Sequence, residues 1–316
     1  MKKTSIGGQA LLEGLLMIGP EYMATAIRKS DGEIIVEKKP VKPKGKWSKI
    51  PIVRGAVNLF KQLIVGIKAL MYSADFVDLD DGEKYEPSKF EKWLDRKFGD
   101  KVTDIAIYFS VILSICFSVG LFILLPNFIA SIIEHFTPIN KEVFSGVVIL
   151  NLVEGAIRIG LFIGYLALVS LMKEMRRVWE YHGAEHKTIH CYEHGDEITV
   201  ENVRKYTTLH PRCGTALLFT IMVISILLFS FTGWYNVFIN ALIRILLVPI
   251  VAGISIELIK FMAKKENALF KIVTAPGLFF QRFTTREPDD SQIEVAIAAF
   301  LEVLPSENVN DEWGKD

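Results

Sequence analysis

Four apolar stretches constrain the fold of this chain more than any other feature of its sequence. A helix needs about 20 apolar residues to cross a bilayer core about 30 Å thick, and it pairs its own backbone polar groups internally. The sequence therefore predicts a mainly α-helical membrane protein with about four transmembrane helices, in residues 105–126, 147–172, 216–235 and 237–262. The apolar stretch 128–136 is too short to cross, and we expect it to lie on the outer surface.

Composition excludes other classes of protein. With 51% hydrophobic residues, the chain is too apolar for an ordinary soluble enzyme. Its 36 basic residues balance its 36 acidic residues, so the charge gives no signature of nucleic-acid binding and we expect no nucleic-acid partner. The three cysteines are too few for a disulfide framework and fit a reducing compartment. Glu13 interrupts the short N-terminal apolar stretch, which argues against a cleaved signal peptide.

Basic residues next to the predicted spans lie almost entirely on one side of the membrane. The opposite loops carry only Lys141. By the positive-inside rule, the N-terminus, the 173–215 loop and the C-terminus are expected in the cytoplasm, in a multi-pass protein of the cell (cytoplasmic) membrane. The residues on the basic side are Lys92, Arg96, Lys97, Lys101, Lys173, Arg176, Arg177, Arg204, Lys205, Arg212, Lys264 and Lys265.

The segments outside the spans predict a small cap and several shorter helices. A β-hairpin with Asp31-Gly32 in its turn follows a glycine-rich start. Residues 56–72 carry leucines and isoleucine on one face and Lys61 and Lys68 away from it, which suits a helix in the membrane interface or under a domain. Gly195, Thr199 and Asp289 are expected at the ends of cytoplasmic helices.

The predicted organisation therefore has six parts. They are a glycine-rich segment with the β-hairpin cap (1–50), the interfacial helix with a polar connector (51–104), two transmembrane helices (105–172), a cytoplasmic histidine-rich loop (173–215), two further transmembrane helices (216–262), and a cytoplasmic C-terminal segment with an amphipathic helix (263–316).

Within the loop, four histidines recur at every fourth residue. Because a step of four residues advances about 400° around an α-helix, they share one helix face. The first pair reads H-x-x-E-H, in which two imidazoles one turn apart can hold one zinc ion and Glu185 can activate a water as general base. The alternative is the polar, solvated face of a helix near the membrane. The four histidines are His182, His186, His190 and His194.

A catalytic zinc needs a third protein ligand beside His182 and His186. Glu257, near the cytoplasmic end of the fourth stretch, is the acid best placed for that role, although it could instead extend towards the interface. The rival is a closed structural site with no open position for water, completed by His210 and Cys213. His190 is a further alternative ligand on the same helix face.

Three ionisable residues fall inside the predicted spans, where an unpaired charge is costly. Glu154 and Arg158 are four residues apart and can pair on one helix, while Arg244 lies at a similar depth on another. We expect these charges to fix helix packing.

Five motifs together resemble those of the YqhQ-like family of bacterial multi-pass membrane proteins, described as predicted metal-dependent enzymes of unknown function. The similarity runs from Gly7 to about Leu304. It implies a cytoplasmic-membrane protein in which separated segments assemble one site, and it implies no substrate. The motifs are GGQA-x2-EG at 7–14, YHGAEHKTIH at 181–190, HPRCGT at 210–215, PGLFFQRFTTREPDD at 276–290 and QIEVAIAA at 292–299.

Two functions follow. The first is a zinc-dependent, peptidase-like hydrolase at the cytoplasmic face, acting on a peptide or a membrane protein, in which Glu185 is the base and Arg212 or Arg286 stabilises the oxyanion. The second is a non-catalytic membrane scaffold or assembly factor with a structural metal or polar cluster. A base between metal-binding histidines favours the first, whereas the lack of a substrate-binding motif favours the second. A transporter is a weaker hypothesis, because four spans with few polar faces need homo-oligomerisation to form a pathway.

Overall fold

The computed structural model describes residues 3–41, 50–76, 101–263, 268–306, 309 and 311–312. Most of the polar connector and several basic residues used for the orientation (Lys92, Arg96, Lys97, Lys264 and Lys265) lie outside these residues. Ten α-helices are described in this part of the chain: α1 Val53–Ala74, α2 Lys101–Val119, α3 Leu125–Phe136, α4 Phe144–Val169, α5 Lys173–His194, α6 Val200–Arg204, α7 Gly214–Phe229, α8 Val237–Ala263, α9 Ala268–Thr284 and α10 Asp290–Leu301.

Among the described residues, three helical segments are long and apolar enough to cross a membrane: Phe109–Phe136, Phe144–Val169 and Val237–Met262. The chain is therefore mainly helical, as predicted, and consistent with a membrane protein. Residues 128–136 are not a separate surface helix, because the π-helical turn Gly120–Leu124 joins α2 to α3 without a break. The third predicted stretch forms the 16-residue helix α7, which is about 24 Å long at 1.5 Å per residue and so shorter than a bilayer core.

The N-terminal cap is a four-stranded antiparallel sheet in the order β1-β2-β3-β4. The predicted hairpin around Asp31-Gly32 is present as β3 (Tyr22–Arg28) and β4 (Ile34–Pro40). The glycine-rich start forms a second hairpin, of β1 (Gly7–Leu11) and β2 (Gly14–Ile18).

Strand β2 is apolar throughout because both faces of the sheet are covered. Leu15 and Met17 belong to the core that includes residues of α5 and α10. Leu16 on the other face packs in a cluster with Leu11 and with Ala69 of α1. Helix α10 begins at a capping box between Asp289 and Gln292 and buries Ile293, Ala296 and Phe300 in the first of these cores.

The chain divides into two compact units. The first contains the described residues of Met1–Asp78, Ile163–Leu228 and Leu247–Asp316, and so holds the sheet, α1, α5, α6, α9 and α10. The second contains the described residues of Leu79–Phe162 and Phe229–Leu246.

In the second unit, Glu154 lies between two arginines. Arg244 Nε donates hydrogen bonds to both carboxylate oxygens, at 2.7 and 2.9 Å, and Arg158 is ion-paired with the same carboxylate. Arg158 Nε also donates to the carbonyl of Phe122, at 2.9 Å, inside the π-helical turn where the regular α-helical ladder is interrupted. The Arg244 guanidinium lies over the Trp234 ring, 5.4 Å from its centroid. One carboxylate thus serves two buried cations.

Because one carboxylate is shared by two arginines, substitutions of Glu154 and of Arg244 should lower the free energy of unfolding by different amounts. Glu154→Gln leaves two like charges facing each other, so we expect it to lower the free energy of unfolding by about 3–5 kcal/mol. Arg244→Met leaves a neutral Glu154–Arg158 pair and should cost less, and the double variant should be milder than Glu154→Gln alone. Denaturant unfolding in detergent measures these differences, with the exposed Glu142→Gln as control. Equal losses for both single variants would contradict the shared-carboxylate arrangement.

The short helix α7 makes the topology testable. If α7 crosses together with the other three segments, reporter fusions after residues 195 and 300 should both report the cytoplasm, and a fusion near 140 should report the outside. If α7 does not cross, the fusions after 195 and 300 must report opposite sides. The second outcome would also contradict the cytoplasmic position predicted for both the 173–215 loop and the C-terminus.

Candidate metal centre

Helix α5 carries the histidine motif, and its second half is buried rather than solvated. The helix packs against β1, β2 and α10. Only 1% of His186 and 5% of Glu185 is exposed, and Lys187 is buried beside them. The helix ends at Gly195, whose left-handed backbone (φ 82°) lets its N–H return to the carbonyls of the last turn, as the sequence predicts. The polar residues of this face therefore need partners within the protein.

Two histidines and one cysteine converge at the centre of this face. Potential ligand atoms of His182, His186 and Cys213 all lie within 4.8 Å of one another, and His182 Nε2 lies 3.1 Å from Cys213 Sγ. Nitrogen and sulfur are the ligand atoms that zinc prefers, and three protein ligands leave one position open for water.

Backbone carbonyls hold both imidazoles through Nδ1, so that Nε2 of each ring points away from the carbonyl. His182 Nδ1 lies 2.7 Å from the Thr284 carbonyl and His186 Nδ1 lies 2.5 Å from the Thr208 carbonyl. Since a carbonyl can only accept a hydrogen bond, each Nδ1 carries a proton, and the neutral form of each ring has its lone pair at Nε2. Metal-binding histidines are commonly oriented in this way. His186 Nε2 is buried without a hydrogen-bond partner, which is unusual for a buried polar atom.

The charge of Cys213 suits a metal ligand. Although burial opposes ionisation, His182 and His186 lower the pKa of the Cys213 thiol well below its usual value. Burial likewise disfavours the imidazolium of His182, but the adjacent Cys213 raises the pKa of His182 to about 9. Thr215 Oγ1 donates to Cys213 Sγ at 3.3 Å. Helix α7 begins at Gly214, directly after Cys213, so the positive end of that helix also faces the sulfur. Thiolate is the form of cysteine that binds metals.

Glu185 lies beside this cluster without a cationic partner from lysine or arginine among the contacts described. Its Oε1 accepts a hydrogen bond of 2.7 Å from the backbone N–H of Gly8 in β1, and its Oε2 is buried without a partner. Burial raises the pKa of Glu185, and the nearby His182 and His186 oppose that effect. A Cβ atom on residue 8 would lie 3.1 Å from Cδ of Glu185 and 2.5 Å from the Leu16 carbonyl oxygen, so the close approach requires glycine.

Gln281 of α9 fixes the loop that carries Cys213. Its side chain, which is fully buried, accepts from the N–H of His210 at 2.8 Å and donates to the carbonyl of the same residue at 2.7 Å. Gln281 is not among the site residues predicted from the sequence. The available signal was a single amide in the apolar run FFQRF, within a motif already recognised.

His190, Glu193 and His210 form a second group of potential ligands. Here Arg212 is ion-paired with Glu193, and it lies 3.3 Å from His210 Nε2. Although burial raises the pKa of the Glu193 carboxyl, the hydrogen bond from His210 and the charge of Arg212 lower it to about 2. A fixed cation therefore already neutralises the carboxylate, which makes this group an ion-pair cluster and leaves His210 outside the first cluster.

The remaining predicted residues are placed elsewhere. Glu257, which the sequence predicts as third ligand, accepts two hydrogen bonds of 2.6 Å from Arg54 and is not grouped with His182 and His186 among the described residues. Arg286 has an exposed side chain and contacts α5 through its backbone N–H, which donates to the Trp179 carbonyl. Arg212 is committed to Glu193. His194 lies at the exposed end of α5, with Nδ1 against the His190 carbonyl.

The chain is similar to a protein family and to a protein of Bacillus subtilis. The family model described as "Protein of unknown function (DUF1385)" matches residues 50–306. "Uncharacterized protein YqhQ" of Bacillus subtilis (strain 168) is 33% identical over 314 residues, which cover 97% of this chain and 94% of that protein. No solved structure gives a significant match.

The role of Gln281 yields a prediction. Gln281→Leu leaves the buried N–H and carbonyl of His210 unpaired, at a cost of about 1–3 kcal/mol for each group, and should loosen the Cys213 loop. In a Cys116→Ser background we expect faster alkylation of Cys213, measured by mass spectrometry, and a lower unfolding temperature. The control is Arg282→Leu, at the exposed neighbouring position of α9. An alkylation rate equal to that of the control would show that Gln281 does not position the loop.

Proposed function

Since this chain belongs to the DUF1385 family of proteins of unknown function, we propose its function from the chemistry of the His182–His186–Cys213 cluster: a zinc-dependent hydrolase of the membrane. The observation that carries the proposal is the pair of buried atoms without partners, His186 Nε2 and Glu185 Oε2. A metal ion and the water that it activates account for both atoms.

The ligand number favours catalysis over a purely structural role. Structural zinc sites are usually closed by four protein ligands, whereas catalytic sites keep one position for water or substrate. Here the first cluster offers three ligands, and the nearest further histidine of the motif region, His210, is engaged with Glu193 and Arg212. A carboxylate between the two histidines of the motif is unnecessary in a structural site.

Each residue then has a defined task. His182 and His186 would hold the metal through Nε2, and Cys213 would hold it as a thiolate. When bound, zinc lowers the pKa of a water towards neutrality and polarises a carbonyl group. Glu185 would take the proton from a water activated in this way through Oε2, while Gly8 holds Oε1. The raised pKa of Glu185 also lets it pass that proton to the leaving group.

The proposed substrate is a peptide bond in a membrane protein or in a peptide at the bilayer surface. Cys213 immediately precedes the apolar helix α7, and α5 follows the spanning helix α4 after three residues, so the cluster belongs to segments at the membrane boundary. The excess of lysine and arginine supports the cytoplasmic face for this boundary. Arg212 is assigned to the ion-pair cluster and no longer to the oxyanion. We also keep homo-oligomerisation as a proposal for this protein.

A second candidate, the non-catalytic scaffold, is favoured by the burial of His186 and Glu185. A bound metal would connect α5 to the loop before α7 through the ligands of the first cluster, and the hydrogen bond between His182 and the Thr284 carbonyl would join the end of α9 to them. In this function Glu185 would act only as a partner for the Gly8 N–H.

Metal content tests the ligand assignment. The purified wild-type protein should contain about one zinc ion per chain by elemental analysis. His186→Ala and Cys213→Ser should lose it, because each removes one of three ligands. His135→Ala, at an exposed position of α3, is the matched histidine control and should keep the metal. Retention of zinc by both cluster variants would refute the ligand set.

Glu185→Gln separates the two functions. The substitution keeps the shape and the acceptor for Gly8 but removes the basic oxygen, so a hydrolase should lose activity by about 10²–10⁴-fold while zinc and the unfolding temperature are retained. Complementation of a deletion strain measures the activity. A fully functional Glu185→Gln protein that still contains zinc would favour the scaffold.

A further inference from the structure

Helix α1 (Val53–Ala74) has three different faces. At 100° per residue, its buried residues share one side of the helix, and four exposed apolar side chains are centred about 120° away. The basic residues occupy the third side, seven positions apart, and the helix contains no aspartate or glutamate. The buried residues are Gly55, Gly66, Ala69 and Ser73, the exposed apolar ones are Phe60, Leu63, Ile64 and Leu70, and the basic ones are Arg54, Lys61 and Lys68.

The first turn of α1 is fixed to a helix that can cross the membrane. A Cβ atom on Gly55 would lie 3.0 Å from Cα of Gly253, so the two backbones are in close contact. One residue earlier, Arg54 forms its two hydrogen bonds with Glu257. Gly253 and Glu257 both belong to the spanning segment Val237–Met262. The N-terminal end of α1 is therefore held at the level of the bilayer.

The later turns of α1 support the sheet. Gly66 packs on the side chain of Gln9, and Ala69 packs with Leu11 and Leu16. The buried face is thus fully used by the protein, while the apolar and basic faces point elsewhere. More than half of the surface of Phe60, Leu63 and Ile64 is exposed, which is a large apolar area for one helix.

We propose that α1 is a lipid-binding helix that lies in the interface of an anionic bilayer. Its apolar face enters the boundary of the acyl chains, and Lys61 and Lys68 reach the phosphates of the headgroups. Exposed aliphatic and aromatic side chains beside a basic stripe are the features that bind a helix to such a surface. Its attachment to a spanning helix places it at the required depth. A second copy of the chain fits less well, because a two-fold contact through this surface would bring like charges together.

Lipid binding by α1 does not depend on a metal in the His182–His186–Cys213 cluster. It would nevertheless fix the position of that cluster, because α1 supports β1 through Gln9 and the neighbouring Gly8 donates to Glu185. The sheet and the cluster would then be held close to the bilayer surface.

Spin labels in the full-length protein test the proposal. Nitroxides are attached at Leu63→Cys or Lys61→Cys in a Cys116→Ser background, with the background protein itself as the blank, in phosphatidylcholine nanodiscs with and without phosphatidylglycerol. Labels at Phe117, on the spanning helix, and at Asp31, in the hairpin turn, provide the lipid and water references. The measurement compares how often each nitroxide collides with oxygen, which is enriched in lipid, and with a nickel complex, which stays in water.

We expect the Leu63 label to collide several-fold more with oxygen relative to nickel than the Asp31 label does, and to approach the Phe117 label. The Lys61 label should lie between the references. A Leu63 label as accessible to nickel as the Asp31 label would overturn the proposal, and shielding from both reagents would instead indicate a protein partner.

Charge variants test the requirement for anionic lipid. In the protein with native lysines, phosphatidylglycerol should move the Leu63 label deeper into the bilayer. Lys61→Gln with Lys68→Gln should abolish this dependence on lipid composition, whereas Lys38→Gln with Lys39→Gln, in the edge strand β4, should not. A depth that is the same in both lipid compositions would overturn the assignment to an anionic surface.

Discussion

Burial of the polar face of α5 is the constraint on which the rest of the first unit depends. Buried polar groups are costly unless they are hydrogen-bonded, so each must find a partner. Those partners come from distant parts of the chain: the N–H groups of Thr4 and Gly8, and the carbonyls of Thr208, Leu209 and Thr284. The glycine-rich start, the loop before α7 and the end of α9 are thereby brought to one helix face, which explains why the sequence motifs occur in separated segments.

Local rules predicted much of this fold. Hydropathy located three spanning segments, and cap residues located the ends of α5, α6 and α10. The β1–β2 hairpin was missed, since its strands are short and rich in glycine and become buried only when helices cover both faces. For the candidate site, spacing identified His182, His186 and Glu185. The sequence could not choose between Glu257 and Cys213 as the third potential ligand. That choice depends on tertiary contacts, because the predicted depth in the membrane does not reveal that Glu257 pairs with Arg54, about 200 residues earlier in the chain.

Three of the buried carboxylates in the described part of the chain have different partners, and the contrast is informative. Glu154 is shared by two arginines, and Glu193 is paired with Arg212 and with the N–H of Thr4. Both follow the rule that a buried charge needs a counter-charge. Glu185 is as buried as these two, yet its described hydrogen bond comes from one backbone N–H and one of its oxygens has no partner. Buried carboxylates of this kind concentrate at functional sites, because their pKa values can be matched to proton transfer.

The ion-pair cluster explains why the first cluster has three potential ligands and not four. His210 lies on the same histidine face, with its ring centroid 5.5 Å from that of His186, and a fourth nitrogen there would close the site. Glu193 and Arg212 instead hold the His210 imidazole, while Gln281 holds its backbone at both polar atoms. Burial lowers the pKa of His210 to about 4, although the hydrogen bond with Glu193 acts in the opposite direction. The His210 ring is therefore neutral even when no metal is bound. Because this histidine is engaged with Glu193, a metal bound at the first cluster would keep one position open beside Glu185, as the proposed hydrolysis would require.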